Sequence, residues 1–178
     1  MKKVMLLTIF AALMMISSAA VAQTANGTLT VTATVNGSIQ LVFNSDASGV
    51  ALSSGAGTNA ATLAFGNVSA FGALGSPNIT RTVVAGTSFT VSTPVDVLVS
   101  KSNSASANYT LKAQLGAADA VNTWQVAGNT VTSAAQATIT ASGTYGSNAA
   151  EAIAITVPFT TASGTLISNT INFAATAN

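Results

Sequence analysis

The chain has 178 residues, 49% of them hydrophobic and only 5% charged, with no histidine and no cysteine. That composition removes the commonest general base, the thiol nucleophile and the usual transition-metal ligands, and a formal net charge of +1 gives nucleic acid no basic patch to hold. So little charge suits a subunit whose surface becomes buried in an assembly better than it suits a dispersed monomer.

The opening MKKVMLLTIFAALMMISSAAVAQ places Lys2 and Lys3 before an uncharged apolar run, Val4 to Ile16, and the small residues Ala20-Val21-Ala22 after it. This order predicts a secretory signal over residues 1–22, cut after Ala22, with an apolar run too short to favour a membrane span. No later stretch is apolar enough to cross a bilayer. The expected location is extracellular or at the cell surface, with the periplasm in transit. Cleavage leaves Arg81, Lys101 and Lys112 against Asp46, Asp96, Asp119 and Glu151, a net 3 − 4 = −1. The remaining length suffices for one domain with a sizeable core. Without cysteine, its stability must come from a sheet core, from assembly, or from both.

Gly27 to Phe43 (GTLTVTATVNGSIQLVF) alternates Leu29, Val31, Ala33 and Val35 against Thr28, Thr30, Thr32 and Thr34. Successive strand side chains point to opposite faces, so this predicts a strand with one apolar and one threonine face. Asn36-Gly37 offers a break or a bulge within it. A strand-ready segment just after a cleaved signal either starts the chain's own sheet or completes another subunit's.

Asn44 to Ala61 reads as a polar loop, and Thr62 to Val68 as a short strand with Gly66 at a bend. Short strands are predicted at Ile79–Val84 and Phe89–Ser92. Pro94 to Lys101 alternates Val95, Val97 and Val99 against Asp96, Leu98 and Ser100. Tyr109 to Leu115 returns with Tyr109, Leu111, Ala113 and Leu115 on one face. Weaker strands follow at Thr123–Val126 and Ala137–Ser142, then stronger ones at Ala152–Phe159 and Leu166–Ala177. The last points Ile171, Phe173 and Ala175 inward. Helical periodicity never persists after the signal, and no fixed repeat occurs. The class is all-β, a sandwich of short strands.

The four carboxylates lie scattered, and read as solvated surface charges rather than as a paired acid–base site. No nucleophile elbow, phosphate loop or dinucleotide fingerprint is present, so an enzyme is not expected. Catalytic, cofactor and metal residues are accordingly none. Asn44, Asp46, Ser48 and Gly49 match the start of a calcium loop, but Gly55 stands where its bidentate acid belongs, which favours an ordinary Asx turn. Trp124, flanked by Asn122, Thr123 and Gln125, is a possible surface ligand contact by sugar stacking, against the commoner reading of a buried or interface tryptophan. The threonine row is weak evidence for an ice- or crystal-binding face, because Thr is a good solvent-facing strand residue.

The signal, the alternating GTLTVTATV strand, the TLAFGNVSAFG segment, the PVDVLVSK…YTLKAQL hairpin and the apolar last strand ISNTINFAATA together resemble secreted pilin-like domains. The similarity is to archaic chaperone–usher pilins and the spore-coat-protein-U-like group, and it covers nearly the whole mature chain. The resemblance implies an incomplete immunoglobulin-like sandwich over residues 37–178, lacking one strand, preceded by a donor segment at 23–36. It implies donor side chains Leu29, Val31, Ala33 and Val35, and an acceptor groove with Ile171, Phe173 and Ala175. It also implies further copies or related subunits as partners, a periplasmic chaperone and an outer-membrane usher. The cysteine such pilins often carry just after the first strand is absent, with Gly37, Ser38 and Ile39 in that region.

Three readings of function follow. The first is a structural subunit of a surface filament built by strand donation. The second is a self-contained secreted sandwich acting as an adhesin or carbohydrate-binding module. The third is a self-templating cross-β matrix protein, which repeats would have favoured.

Overall fold

The computed structural model describes residues 27–178; the expected signal (1–22) and Gln23 to Asn26 of the expected donor segment lie outside the described residues. The chain divides between Thr34 and Val35. Residues 27–34 have no regular secondary structure and are exposed throughout.

Beyond that point the chain is all strand and loop. The strands are β1 (Ser38–Asn44), β2 (Thr80–Val84), β3 (Ser88–Ser102), β4 (Tyr109–Leu115), β5 (Thr123–Val126), β6 (Asn129–Val131), β7 (Ala137–Gly143), β8 (Asn148–Pro158) and β9 (Ile171–Ala177). They form two antiparallel sheets. The large one runs β1–β3–β8–β5–β6 with β2 also on β3, and the small one runs β7–β4–β9. This is an all-β fold of two sheets, in the generic manner of a β-sandwich.

The fifteen-residue β3 is the spine. Its odd-numbered residues from Phe89 to Val99 are all buried, and its even-numbered residues are half-buried on the opposite face. β8 pairs along one side, with Val95 opposite Glu151. The inward side chains of β3 and β8 meet Leu111, Ala113 and Leu115 of β4 to form the core, with Trp124, Val126 and Val131 closing it at the β5–β6 end. Burying a Val or Leu side chain contributes about 1.5–3 kcal/mol, so this layer dominates stability.

On its other side β3 is shared. β1 pairs with Asp96 to Ser102 and β2 with Ser88 to Ser92, leaving a gap at Thr93 to Val95. Proline lacks the N–H a ladder needs, and Pro94 sits where the loss is harmless. Its carbonyl points into the gap at Gly49, where a Cβ would stand 2.1 Å from that oxygen. The missing N–H faces the same way, because a strand residue turns both groups to one side. Fully buried Thr93 closes the gap: its Oγ1 accepts from Val50 N–H at 2.7 Å and donates to the Asn78 carbonyl at 3.1 Å. Asn78 Nδ2 donates to Gly49 O at 2.7 Å. These bonds pin both ends of the irregular 45–79 segment, whose Val50, Leu52, Leu63 and Phe65 pack on the core.

Several expectations are corrected. The strand expected from Gly27 starts only at Ser38, so the upstream alternation has no ladder to join. Gly37 marks the change: a Cβ there would meet the Asn103 carbonyl at 2.8 Å as the chain passes the β3–β4 loop. Thr62–Val68 is no strand. It makes a single bridge, Thr62 to Ser54, and serves as irregular cover for the core. The expected strands at Phe89–Ser92 and Pro94–Lys101 are one, β3. Glu151, expected as a surface charge in a loop, is 5% exposed within β8. No helix of the described residues is long and apolar enough to cross a membrane.

Candidate functional site

β1 and β9 are the facing edges of the two sheets. Each has one strand partner, β3 for β1 and β4 for β9. Their inward residues continue the core outward without being covered: Leu41 and Phe43 on β1, with Phe173 and Ala175 on β9, are partly buried against Val97, Val99, Tyr109 and Leu111. Ile171 is likewise half-buried against the neighbouring cluster. Phe43 and Phe173 meet edge to face with centroids 5.3 Å apart, the geometry aromatic quadrupoles favour.

Backbone direction matters as much as side-chain direction. Gly116 N–H donates to Thr170 O and Asn178 N–H to Asn108 O, so the even-numbered backbone groups of β9 face β4. By alternation, those of Ile171, Phe173 and Ala175 face away from it. On β1, Phe43 bonds outward, its N–H to Thr58 O at 2.8 Å and its carbonyl to Gly57 N–H at 2.7 Å. Ile39 and Leu41 therefore also turn their backbone groups away from β3. The 57–58 segment already takes the outward groups of Phe43, so Ile39 and Leu41 on β1, with Ile171, Phe173 and Ala175 on β9, are the residues that combine apolar side chains with outward-facing edge groups, the double requirement of a strand-docking site.

The residues expected to donate are all exposed. Leu29, Val31 and Val35 are 88%, 80% and 72% exposed, and Ala33 is exposed with them. Ile171, Phe173 and Ala175, which the resemblance implies as groove residues, lie together on β9. Sequence reasoning missed the opposite bank, Ile39, Leu41 and Phe43. Their alternation after Gly37 carries the signal, but in the sequence it runs on from the alternation that starts at Gly27.

The other singled-out residues are structural in their contacts. Trp124 is 6% exposed and its indole N–H donates to Asp119 Oδ2 at 2.8 Å, so its ring faces are not a surface platform. Asp119 also accepts from the backbone N–H groups of Val121 and Asn122 and from the Asn122 side chain. Partial burial pushes this carboxyl up, but the Asn122 backbone, the Trp124 indole, the Asn122 amide and the Val121 N–H outweigh it and hold the pKa at about 2. The carboxylate is spent on closing its own loop. Asp46 Oδ1 accepts from Ser48 Oγ at 2.6 Å and Ser48 N–H at 2.7 Å, an Asx turn. No group of three or more His, Cys, Asp or Glu among the described residues is placed to hold a metal ion. No family model, curated protein or solved structure matches this chain. The open edge is the candidate that geometry leaves.

Proposed function

We propose that the protein is a structural subunit of a secreted surface filament assembled by strand donation. The segment carrying Leu29, Val31, Ala33 and Val35 of one copy enters the edge between β1 and β9 of the next. The addition completes an immunoglobulin-like, pilin-like sandwich. The observation that carries this reading is the match between two halves: an exposed alternating apolar row, and an edge that, among the described residues, has no strand beside it except for the 57–58 bridge at Phe43.

Covering Leu29, Val31 and Val35 contributes about 4.5–9 kcal/mol before ordering costs, and the ladder fixes the register. The contact is head-to-tail, so it propagates rather than closes. Docking has an opening step. β1 and β9 approach within 8 Å at Cα, whereas a strand between them needs two spacings of about 4.8 Å. Phe43 and Phe173 must part. Partners implied by the pilin resemblance, a chaperone that guards the edge and an usher that orders assembly, belong to this proposal.

Light scattering on the exported protein tests it. The intact chain should polymerise. Val31→Asp, which puts a charge in the docked row, should no longer polymerise and should go no further than a dimer, and a peptide of residues 24–35 should raise the thermal stability of that variant. A monomeric intact chain, or polymerisation unaffected by Val31→Asp, refutes strand donation.

A further inference from the structure

The face of the large sheet turned away from the small one is ordered in rows. Directly opposed residues in antiparallel strands share a face, and the registers put Thr82, Thr90, Thr156 and Thr123 in one line across four strands. The next line is Thr80, Ser92, Ala154, Gln125 and Thr130 across five. Pro94 with Ala152, and Asp96 with Ala150, follow along β3 and β8. Asp96 is the only charged side chain among them. Among the described residues the second sheet packs on the opposite face, over the core.

Several of its polar groups are already bonded within the face. The hydroxyls of Thr90 and Thr156 pair at 2.7 Å. Thr80 Oγ1 donates to Ser92 O at 3.2 Å, and Asn148 Nδ2 donates to Asp96 Oδ2 at 2.9 Å. Dehydrating a polar face costs most when its groups lose water and gain nothing. These keep their bonds when water leaves.

Size and shape select the occupant. The 38 residues of β2, β3, β8, β5 and β6, each about 3.3 Å by about 4.8 Å, give about 600 Å² per copy. Two copies together bury about 1,200 Å², at the lower end of the range of about 1,200–2,000 Å² for specific interfaces. A charged partner finds almost nothing to pair with. A flat lattice such as ice or crystalline polysaccharide fits poorly, because strands rotate about 20–25° each, or about 60–75° over the threonine row. A second sheet with the same twist follows the curvature and packs about 10 Å away. The small side chains of Ala150, Ala152 and Ser92 permit that approach.

We propose that this face packs against the same face of a second copy, as a two-fold lateral contact. It uses neither residues 27–35 nor the β1–β9 edge, so it stands apart from strand donation and, with it, would join filaments side by side.

The cysteine-free chain makes the test direct. A disulfide needs Cα atoms within about 7 Å. Ala150→Cys and Ala152→Cys, near the centre of the face, are compared under mild oxidation with Thr138→Cys, which is exposed on the other sheet. All three also carry Val31→Asp, to silence strand donation. At least one central cysteine should form covalent dimer at least about tenfold faster than the Thr138→Cys control, since a docked face concentrates its thiols. Ala152→Lys should abolish the dimer seen by sedimentation while leaving the folded signal of Trp124 intact. Equal crosslinking at all three positions overturns the proposal. So does none at the central two, including a case where the protein binds polysaccharide beads through this face instead.

Discussion

Replacing Asp119 by alanine should unfold the β5 end of the core more than any other single charge removal. Four donors converge on this carboxylate at 2.8–3.0 Å. Those on exposed Val121 can turn to water and lose little. The Trp124 indole, 6% exposed, cannot. A stranded buried donor costs about 1–3 kcal/mol, and the weakened Asn122 bonds add to it, so the expected loss is about 2–4 kcal/mol. Urea unfolding followed by the fluorescence of Trp124, the only tryptophan, reads this directly. Asp119→Asn, which keeps the shape but not the charge, should lose less.

The pH profile supplies a second reading of the same residue. The folded pKa of about 2 lies below the ordinary 3.8. The contribution is therefore complete above 3.8 and disappears as pH falls toward 2, a loss of about 1–2 kcal/mol allowing for partial exposure. Asp119→Ala should lack that portion of the acid slope. A variant within about 0.5 kcal/mol of the parent, the size of an ordinary surface substitution, or one with an unchanged acid slope, refutes the assignment.

Glu151→Gln should act in the opposite direction. Burial raises the Glu151 pKa, against the opposing hydrogen bond from Thr140 at 3.3 Å. A raised acid favours folding while protonated, so its contribution is greatest below the ordinary 4.5 and is lost as pH rises through the raised value. The amide should flatten that decline and gain about 1–3 kcal/mol at neutral pH, measured by urea midpoint against pH. Gly143→Ala should destabilise by about 3 kcal/mol, because its Cβ would lie 2.3 Å from Cζ of buried Tyr109. Tyr109→Ala in the same chain should recover part of that loss, and strictly additive effects would show that the two do not touch.

The strands that were legible in the sequence are those whose alternation matches one buried and one wet face. Tyr109–Leu115 and Thr123–Val126 have the bounds that their patterns predict, and Ile153, Ile155 and Val157 point inward as their spacing requires. β6 escaped notice because its turn is Ala127-Gly128, with φ of 49° and 76°. A turn with both central residues left-handed is usually announced by Asn-Gly or Asp-Gly, and alanine hides it. β8 begins earlier than expected because Asn148 to Ala150 pair with Asp96 to Leu98 without any apolar pattern. Glu151 looked like a surface charge because nothing local marks which face β8 turns to the core there. The candidate edge was half legible. Ile171, Phe173 and Ala175 follow from alternation, but its other bank depends on where β1 begins, which Gly37 decides through a contact with Asn103 far along the chain.

The sheet order also sets a timetable. The ladders that hold the sheets together join Phe43 to Val97, Val95 to Glu151 and Leu111 to Ala175, each more than fifty positions apart. Only β2–β3 and β5–β6 are hairpins closed by short turns. Such remote closures place folding at the slow end, in milliseconds to seconds. Until those closures form, β3 has its whole β8 side and its Asp96–Ser102 stretch unpaired, with only the β2 hairpin to cover Ser88–Ser92, the kind of segment that captures other chains. Any chain that meets this one before it folds therefore meets the spine of the sandwich first, and its open edge only afterwards.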